Sequence, residues 1–194
     1  YTYLNQDDPV VGGNAPERIA LRRAIAMGFS SDEFIKVFYG GQGLPANQIL
    51  PPGTSGHDPA LAAKSLHDPA AARALLDRFG YRDRDGDGFR EAPDGKPLTL
   101  VQSSTPDSDS READTLWLKN MAAIGIKMTV NSQPFNDLLK RSTAGQLMMF
   151  NLGFRSSEPS SYSSLATLWG KSPPDLNRSR FRNRDYDAAF EQYL

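Results

Sequence analysis

Hydrophobic residues recur at helical spacing in three stretches of the first part of the chain. Pro16 begins the first stretch and Gly28 ends it, as proline and glycine commonly do at helix boundaries. Residues 30–32, serine, serine and aspartate, favour the start of a second, shorter helix. Asp68 followed by Pro69 predicts a third helix, because a carboxylate N-cap and a proline at the first helical position both suit a helix start.

Strand and helix patterns alternate in the second half of the chain. We predict strands at 98–102, 127–132 and 147–154, with helices near 109–123 and 134–143 between them. The third strand begins with four apolar residues that do not alternate with polar ones, which is typical of a central strand covered on both faces. This β-α-β-α-β order predicts the α/β class, with a mixed sheet flanked by helices.

Both ends of the chain carry patterns of secondary structure as well. Residues 1–4 alternate like a strand entered midway, and residues 163–169 predict a short helix. Asp185 is predicted to cap a final helix that runs to Leu194. Because the first residues read as part of a strand and the last as part of a helix, we expect residues 1–194 to be a piece cut from a longer protein.

Composition narrows the class of protein. Hydrophobic residues make up 39% of the 194 positions and charged residues 23%, which is ordinary for one globular domain. The net charge of −1 gives no reason to expect nucleic-acid binding. The chain has no cysteine, which excludes thiolate zinc sites and cysteine nucleophiles. We expect no cofactor and no catalytic residues.

The order of several short motifs resembles the family 5 solute-binding proteins of ABC importers, which bind oligopeptides, dipeptides or nickel. The resemblance implies a lobe of the type II periplasmic-binding-protein fold, the second of two lobes that close over a solute. It also implies that the first lobe is missing from this chain. The motifs, in order, are LRRAI at 21–25, GGQGLPA at 40–46, PPG at 51–53, DPAAARALL at 68–76, GY at 80–81, DGDG at 85–88, DGKPL at 94–98, IGI at 124–126, NRSRF at 177–181 and YD at 186–187.

The resemblance implies a function as well as a fold. A family 5 protein would be the substrate-binding component of an ABC importer, periplasmic or anchored to the cell envelope. It would capture a peptide-like or other small solute and deliver it to the permease subunits in the membrane. Two alternatives remain open: an α/β enzyme domain, or a sensory ligand-binding domain that uses the same lobe. An enzyme would need convergent titratable groups at strand ends, where the sequence offers Asp107 and Asp109 and no histidine.

Residues that leave the last predicted strand are the main candidates for the solute site, because ligands of α/β sheets bind at the carboxyl ends of strands. These candidates are Phe154, Arg155, Ser156 and Ser157. In the peptide-binding members of the resembling family this place reads Gly-Trp-x-Ala-Asp-Tyr-Pro, and the Asp pairs with the ammonium group of the peptide. Ser157 stands at the Asp position, which predicts weakened recognition of a free peptide amine. The alternative is an ordinary turn after the strand.

Three further side chains have two possible roles each. Arg155 could meet an anionic group of the solute, or it could be solvated at the edge of the domain. Tyr162 and Trp169 lie in the loop-rich segment that follows and are candidates to wall the solute site. Packing into the core is the alternative for both aromatic residues.

An acidic segment matches the start of a calcium-binding loop. Asp83, Asp85 and Asp87 occupy the first, third and fifth positions of such a loop. The match then weakens, because position eight is Arg90 and position twelve is Asp94 rather than a bidentate glutamate. A metal at these three aspartates is therefore a weak alternative to a simple hairpin turn, and we expect no metal.

Overall fold

The computed structural model describes residues 1–46, 48–61, 66–153 and 160–194. Among the helices described, none is both long and apolar enough to cross a membrane. The strands and helices follow in the order β1 (Thr2–Leu4), α1 (Pro16–Gly28), α2 (Ser31–Tyr39), α3 (Pro69–Arg78), β2 (Thr99–Ser104), α4 (Ser108–Ala123), β3 (Lys127–Ser132), α5 (Phe135–Thr143), β4 (Met149–Asn151), α6 (Tyr162–Ala166) and α7 (Arg184–Tyr193).

The four strands form one mixed sheet in the order β1-β4-β2-β3. Strand β2 runs parallel to both β3 and β4, whereas β1 runs antiparallel to β4. The predicted mixed sheet is therefore confirmed, and β4 lies inside it as its apolar sequence indicated. Strand β4 spans Met149–Asn151, which is shorter than the predicted 147–154. Residue 154 lies outside the described part of the chain.

Helices cover both faces of the sheet. Helices α1, α3 and α4 enclose the main core on one face, and α5 covers the other. Burial of large apolar side chains in such cores stabilises the fold by about 1.5–3 kcal/mol each. The main core includes Leu21, Ile25, Leu76, Leu100, Trp117, Met121, Ile124 and Met149, and the second core contains Tyr3, Leu138, Leu147 and Phe150.

Local capping residues explain where the helices begin. The Asp68 carboxylate accepts a hydrogen bond from the backbone N–H of Ala71 at 2.8 Å, which confirms it as the N-cap of α3. The predicted final helix is present as α7, but its predicted cap was wrong, because Asn183 and not Asp185 caps it. The side-chain oxygen of Asn183 accepts from the N–H of Tyr186 at 2.9 Å. Asp185 lies in the first turn, where its charge suits the positive end of the helix dipole.

The Arg90 side chain fastens the loop between α3 and β2 to the rest of the lobe. It is 13% exposed, and its Nε donates to the carbonyl of Ile124 at 3.0 Å. Its Nη1 donates to the carbonyl of Tyr81 at 2.7 Å and forms an ion pair with Asp77. Gly125 adopts a φ of 75°, and a Cβ at that position would lie 3.1 Å from Arg90 Nε. The arginine at position eight of the suspected calcium loop therefore has a structural role.

Candidate functional site

A small cavity opens where the parallel strands β2 and β4 end. Its volume is about 130 Å³. The carboxyl ends of parallel strands lie at one edge of a sheet, which is where α/β folds bind ligands. The lining residues come from the end of β2, the following loop, the first turns of α4, the start of α5 and the end of β4. They are Gln102, Ser103, Ser104, Thr105, Ser110, Ala113, Asp114, Phe135, Phe150 and Asn151.

Gln102 is a buried polar residue in the wall of this cavity. Side chains alternate along β2, so Gln102 shares the face of Leu100, which packs into the core beneath α4. Gln102 is 1% exposed, and its Nε2 donates to the carbonyl of Ser103 at 3.0 Å. Its Oε1 has no hydrogen-bond partner among the described residues. Trp117 Nε1 also lacks a partner there, but Trp117 is not among the described residues that line the cavity.

Asp114 places a buried carboxylate in the same wall. It lies on α4 and is 7% exposed. Burial raises the pKa of Asp114, and the negative charge of Asp107 raises it further. A hydrogen bond with the Ser104 side chain lowers this pKa in part. None of the ion pairs found within the described ranges includes Asp114.

Asp107 supplies a second carboxylate close to the cavity. It is the N-cap of α4 and accepts from the backbone N–H of Ser110 at 2.8 Å. The hydroxyl of Ser110 donates to it at 2.9 Å, and the hydroxyl of Thr105 donates as well. These donors lower the pKa of Asp107 to about 2. The hydroxyls of Thr105 and Ser110 in this part of the wall are therefore directed at the Asp107 carboxylate.

A larger cleft of about 880 Å³ lies beside the edge strand β1. The Thr2 side chain connects it to the small cavity, because its hydroxyl donates to Oδ1 of Asn151. Thr2 lines the cleft and Asn151 lines the cavity. The walls of the cleft are largely apolar and include Leu44, Ile49, Leu50, Leu168, Leu176 and Phe181, with Gln6, Arg22, His57 and Arg178 among the polar members.

The main predicted site residues fall outside the described part of the chain. These are Phe154, Arg155, Ser156 and Ser157, and their role at a solute remains a prediction. The strand edge to which they were assigned is described up to residue 153. The small cavity opens at that edge.

Tyr162 and Trp169 come together in an aromatic cluster with α7. Their ring centroids lie 5.8 Å and 5.3 Å from the ring of Phe190, and Trp169 Nε1 donates to Glu191 at 3.2 Å. Tyr162 is 45% exposed. Neither aromatic residue is among the described residues that line the two cavities. Their contact with a solute remains a prediction.

The acidic segment gathers a different set of carboxylates from the one expected. Oxygen atoms of Asp83, Asp85 and Glu91 lie within 4.8 Å of one another, whereas Asp87 is not in this group among the described residues. Asp83 accepts two backbone N–H groups of its own turn, at 2.7 and 3.0 Å. Asp94 forms an ion pair with the lysine two residues further on. The carboxylates thus stabilise the turn itself, and we propose no metal for it.

Residues 1–175 match the family model described as bacterial extracellular solute-binding proteins, family 5 Middle. The chain belongs to this family. The family 5 chain is 28% identical over 176 residues to the di/tripeptide-binding protein 2 of Pseudomonas aeruginosa, an alignment that covers 89% of this chain and 31% of that protein. The resemblance stated from the motifs is therefore confirmed.

Solved structures confirm the fold of the family 5 chain. A mannohexaose-bound oligopeptide-binding protein of an ABC transporter from Thermotoga maritima superposes with a TM-score of 0.80 at 20% identity, over 96% of this chain and 36% of that one. An oligopeptide-binding protein of Bacillus subtilis in complex with a nonapeptide gives a TM-score of 0.80 at 17% identity, over 99% and 38%. The family 5 chain thus spans about a third of the length of these relatives. All three are named as binding proteins and not as enzymes.

The sequence patterns did not single out two polar residues of the cavity, Gln102 and Asp114. A signal for both was present. Gln102 ends the predicted strand 98–102 on the apolar face, two residues after Leu100. Asp114 precedes Trp117 by three residues and therefore lies on the apolar face of its helix. A polar residue on an otherwise buried face indicates either a satisfied core position or a binding site.

Proposed function

We propose that this chain is one lobe of the substrate-binding component of an ABC importer, which captures a peptide-like or other small solute. Membership of family 5 supports this role. The observation that carries the proposal is the cavity at the carboxyl ends of β2 and β4. Buried polar side chains, among them Gln102, Ser103 and Asp114, line it together with Phe135 and Phe150. A binding protein needs an open, partly polar surface at this edge of the sheet.

The solute would be enclosed between this lobe and a first lobe supplied by the rest of the protein. Relatives about three times as long support this arrangement, since the chain aligns with 31% of the di/tripeptide-binding protein. Closure would follow the hinge motion common to two-domain binding proteins. We propose a periplasmic or envelope-anchored location and delivery of the solute to the permease subunits of the importer.

The class of solute is argued from a named relative and the size of the cleft. The curated relative is named for di- and tripeptides. The solved structures of the same fold hold a nonapeptide or mannohexaose, so the fold alone does not select the solute. The cleft of about 880 Å³ lies within the usual range of small-molecule sites, about 300–1,000 Å³. A short peptide is therefore the first candidate.

Calorimetric titration of the full-length protein that contains this chain tests the proposal. The panel is di- and tripeptides, longer peptides, a hexasaccharide and metal chelates. We expect saturable binding of at least one class, and mass spectrometry should recover the solute unchanged. Chemical turnover of a bound compound would contradict the binding role and favour the enzyme alternative. Absence of binding across the panel would contradict the proposed peptide or small-solute function.

A further inference from the structure

We propose that the edge strand β1 pairs, on the side away from β4, with a further β-strand from the part of the full-length protein outside residues 1–194. The added strand would lie in the large cleft and extend the sheet by one strand. The inference goes beyond the proposed function and rests on one part of it, namely that a longer protein contains this chain. It concerns how the lobe is completed and not which solute is bound.

The backbone hydrogen bonds of β1 show which of its groups face the cleft. Tyr1 and Leu152 exchange two backbone hydrogen bonds, each of 2.9 Å. In an antiparallel pair, residues that exchange hydrogen bonds alternate with residues that do not. Thr2 and Leu4 are therefore the residues whose backbone N–H and C=O groups point away from β4. Both residues line the cleft.

These outward groups of β1 can form a second ladder. Strand β1 is the last in the order β1-β4-β2-β3, and among the described residues no strand pairs with its other side. An edge of this kind presents a row of N–H and C=O groups that another strand can bind, and native proteins generally cover or block it. Nothing within the described ranges covers this edge as a strand would.

The two edges of the sheet differ in sequence. Strand β3, at the opposite edge, begins with the exposed Lys127, and a lysine on an edge strand hinders pairing with a further strand. Strand β1 has the sequence Thr-Tyr-Leu, which carries neither a charge nor a proline. Threonine and tyrosine both favour strands. The sequence of β1 therefore suits a strand that is paired on both sides.

The outer wall of the cleft exposes apolar side chains that an added strand would cover. Leu44 is 73% exposed, Leu61 is 59% exposed and Ile49 is 40% exposed, and all three line the cleft. Apolar side chains exposed together on a folded protein mark a contact surface. A strand beside β1 would bury them with its own apolar side chains, while its backbone pairs with Thr2 and Leu4.

The rest of the same protein is the occupant that the lengths of the relatives favour. The chain aligns with 31% of the di/tripeptide-binding protein and with 36% of the mannohexaose-bound structure, so most of each relative has no counterpart in it. A strand in the same polypeptide pairs within one molecule, at a high effective concentration. It would also narrow the cleft, which agrees with a short solute.

Hydrogen exchange in the full-length protein tests the pairing. Mass spectrometry with fragmentation to single residues follows the amides of Thr2 and Leu4 in the absence of solute, at a low and a high protein concentration. We expect both amides to exchange at least about 100-fold more slowly than in an unstructured chain, at either concentration. The amide of Tyr3, which faces Phe150 in the β1–β4 pair, is the internal control for a paired position.

Two variants at one position give a second test. Thr2→Val and Thr2→Pro both lose the side-chain hydroxyl, but only Thr2→Pro also loses the outward N–H. Proline is tolerated on an edge strand where the N–H faces solvent, and it disrupts a strand that is paired on both sides. We therefore expect a lower midpoint of denaturant unfolding for Thr2→Pro than for Thr2→Val. If Thr2→Pro does not fold, the exchange of the unchanged protein still decides.

The possible failures are distinct. Fast exchange of both amides, or equal midpoints of the two variants, would show that the edge of β1 is open and overturn the inference. Protection that requires an added peptide would make the solute the added strand, and protection only at high protein concentration would make it a second copy. Either result also overturns the inference. Calorimetry with the solute panel is a separate measurement, so absence of binding there contradicts the proposed function and leaves the strand pairing in place.

Discussion

The hydroxyl of Thr2 on edge strand β1 donates a hydrogen bond to Oδ1 of Asn151 on β4. This bond lies between the large cleft and the small cavity, since each residue lines one of them. It therefore fixes the side chain that ends β4 at the rim of the sheet. The position of Asn151, and with it the shape of the cavity, depends on an edge strand far away in sequence.

Replacing Thr2 by valine should test this bond. Thr2→Val keeps the branched shape that suits a strand but removes the donor, so we expect a loss of about 0.5–1.5 kcal/mol in the free energy of unfolding. Denaturant unfolding measures the change. Thr129→Val on the exposed side of β3, whose hydroxyl makes only a longer hydrogen bond of 3.4 Å to the carbonyl of Leu100, is the control and should change stability less. Equal losses of unfolding free energy in the two variants would show that the Thr2 hydrogen bond contributes no more to stability than the Thr129 side chain does.

The raised pKa of Asp114 predicts an unusual dependence of stability on pH. An acid that binds its proton more tightly in the folded state favours folding at low pH, and this contribution is lost as the pH rises from the ordinary value of 3.8 through the raised one. Asp114→Asn removes this loss. In the absence of solute, the melting temperature of Asp114→Asn minus that of the unchanged protein should therefore increase as the pH rises through this window.

Thermal unfolding between pH 3 and 8 measures this gain, with Glu112→Gln as the exposed control. A curve for Asp114→Asn parallel to that of the unchanged protein would show that the Asp114 carboxyl does not resist ionisation in the fold. A stabilising substitution that also weakens solute binding would be the usual signature of a binding residue kept at a cost to stability.

Two basic residues of the loop before β2 should differ sharply in their effect on stability. Arg90→Met removes donors from the carbonyls of Ile124 and Tyr81, so we expect a loss of about 2–4 kcal/mol. Lys96→Met breaks the exposed ion pair with Asp94, and little or no change is expected. Denaturant midpoints of the two variants compare them directly. A similar midpoint shift would mean that Arg90 does not fasten this loop.

Filling the small cavity with a larger side chain should block solute binding. Ala113 lines the cavity on α4, and Ala113→Phe would occupy much of its volume of about 130 Å³. We expect affinity for the best solute of the panel to fall at least about tenfold. Ala122→Phe, exposed on the same helix, is the matched control and should bind normally. Unchanged affinity in Ala113→Phe would exclude this cavity from the solute site.

The sequence predicted helices best where short-range signals define the boundary. Pro16 and Gly28 bound α1 as expected, because proline and glycine act through their own backbone preferences. Strand β2 was harder, since it continues past the predicted residue 102 to Ser104. Ser103 and Ser104 are strand residues because they pair with Asn131 and Ser132 on β3, a contact that no local pattern reveals.

The cavity at the end of β4 could be anticipated from the sequence in its location but not in its lining, and its role as the solute site remains a prediction. The rule for α/β sheets directed attention to the end of β4, and the cavity lies there. Asp114 is on a helix, and its part in the cavity follows only from how α4 packs over β2. Likewise, the pairing of β1 with β4 joins residues about 150 positions apart in sequence. Such contacts depend on tertiary packing.

Gln102 and Asp114 each belong to regular structure whose backbone is held by its own hydrogen-bond network, β2 by its ladders and α4 by its helical turns. Both side chains are largely shielded from bulk solvent. If the proposed solute site lies at this edge of the sheet, preorganisation of this kind would limit the rearrangement that the lobe needs on binding. The speed and selectivity of capture would then depend mainly on how the opposite half approaches.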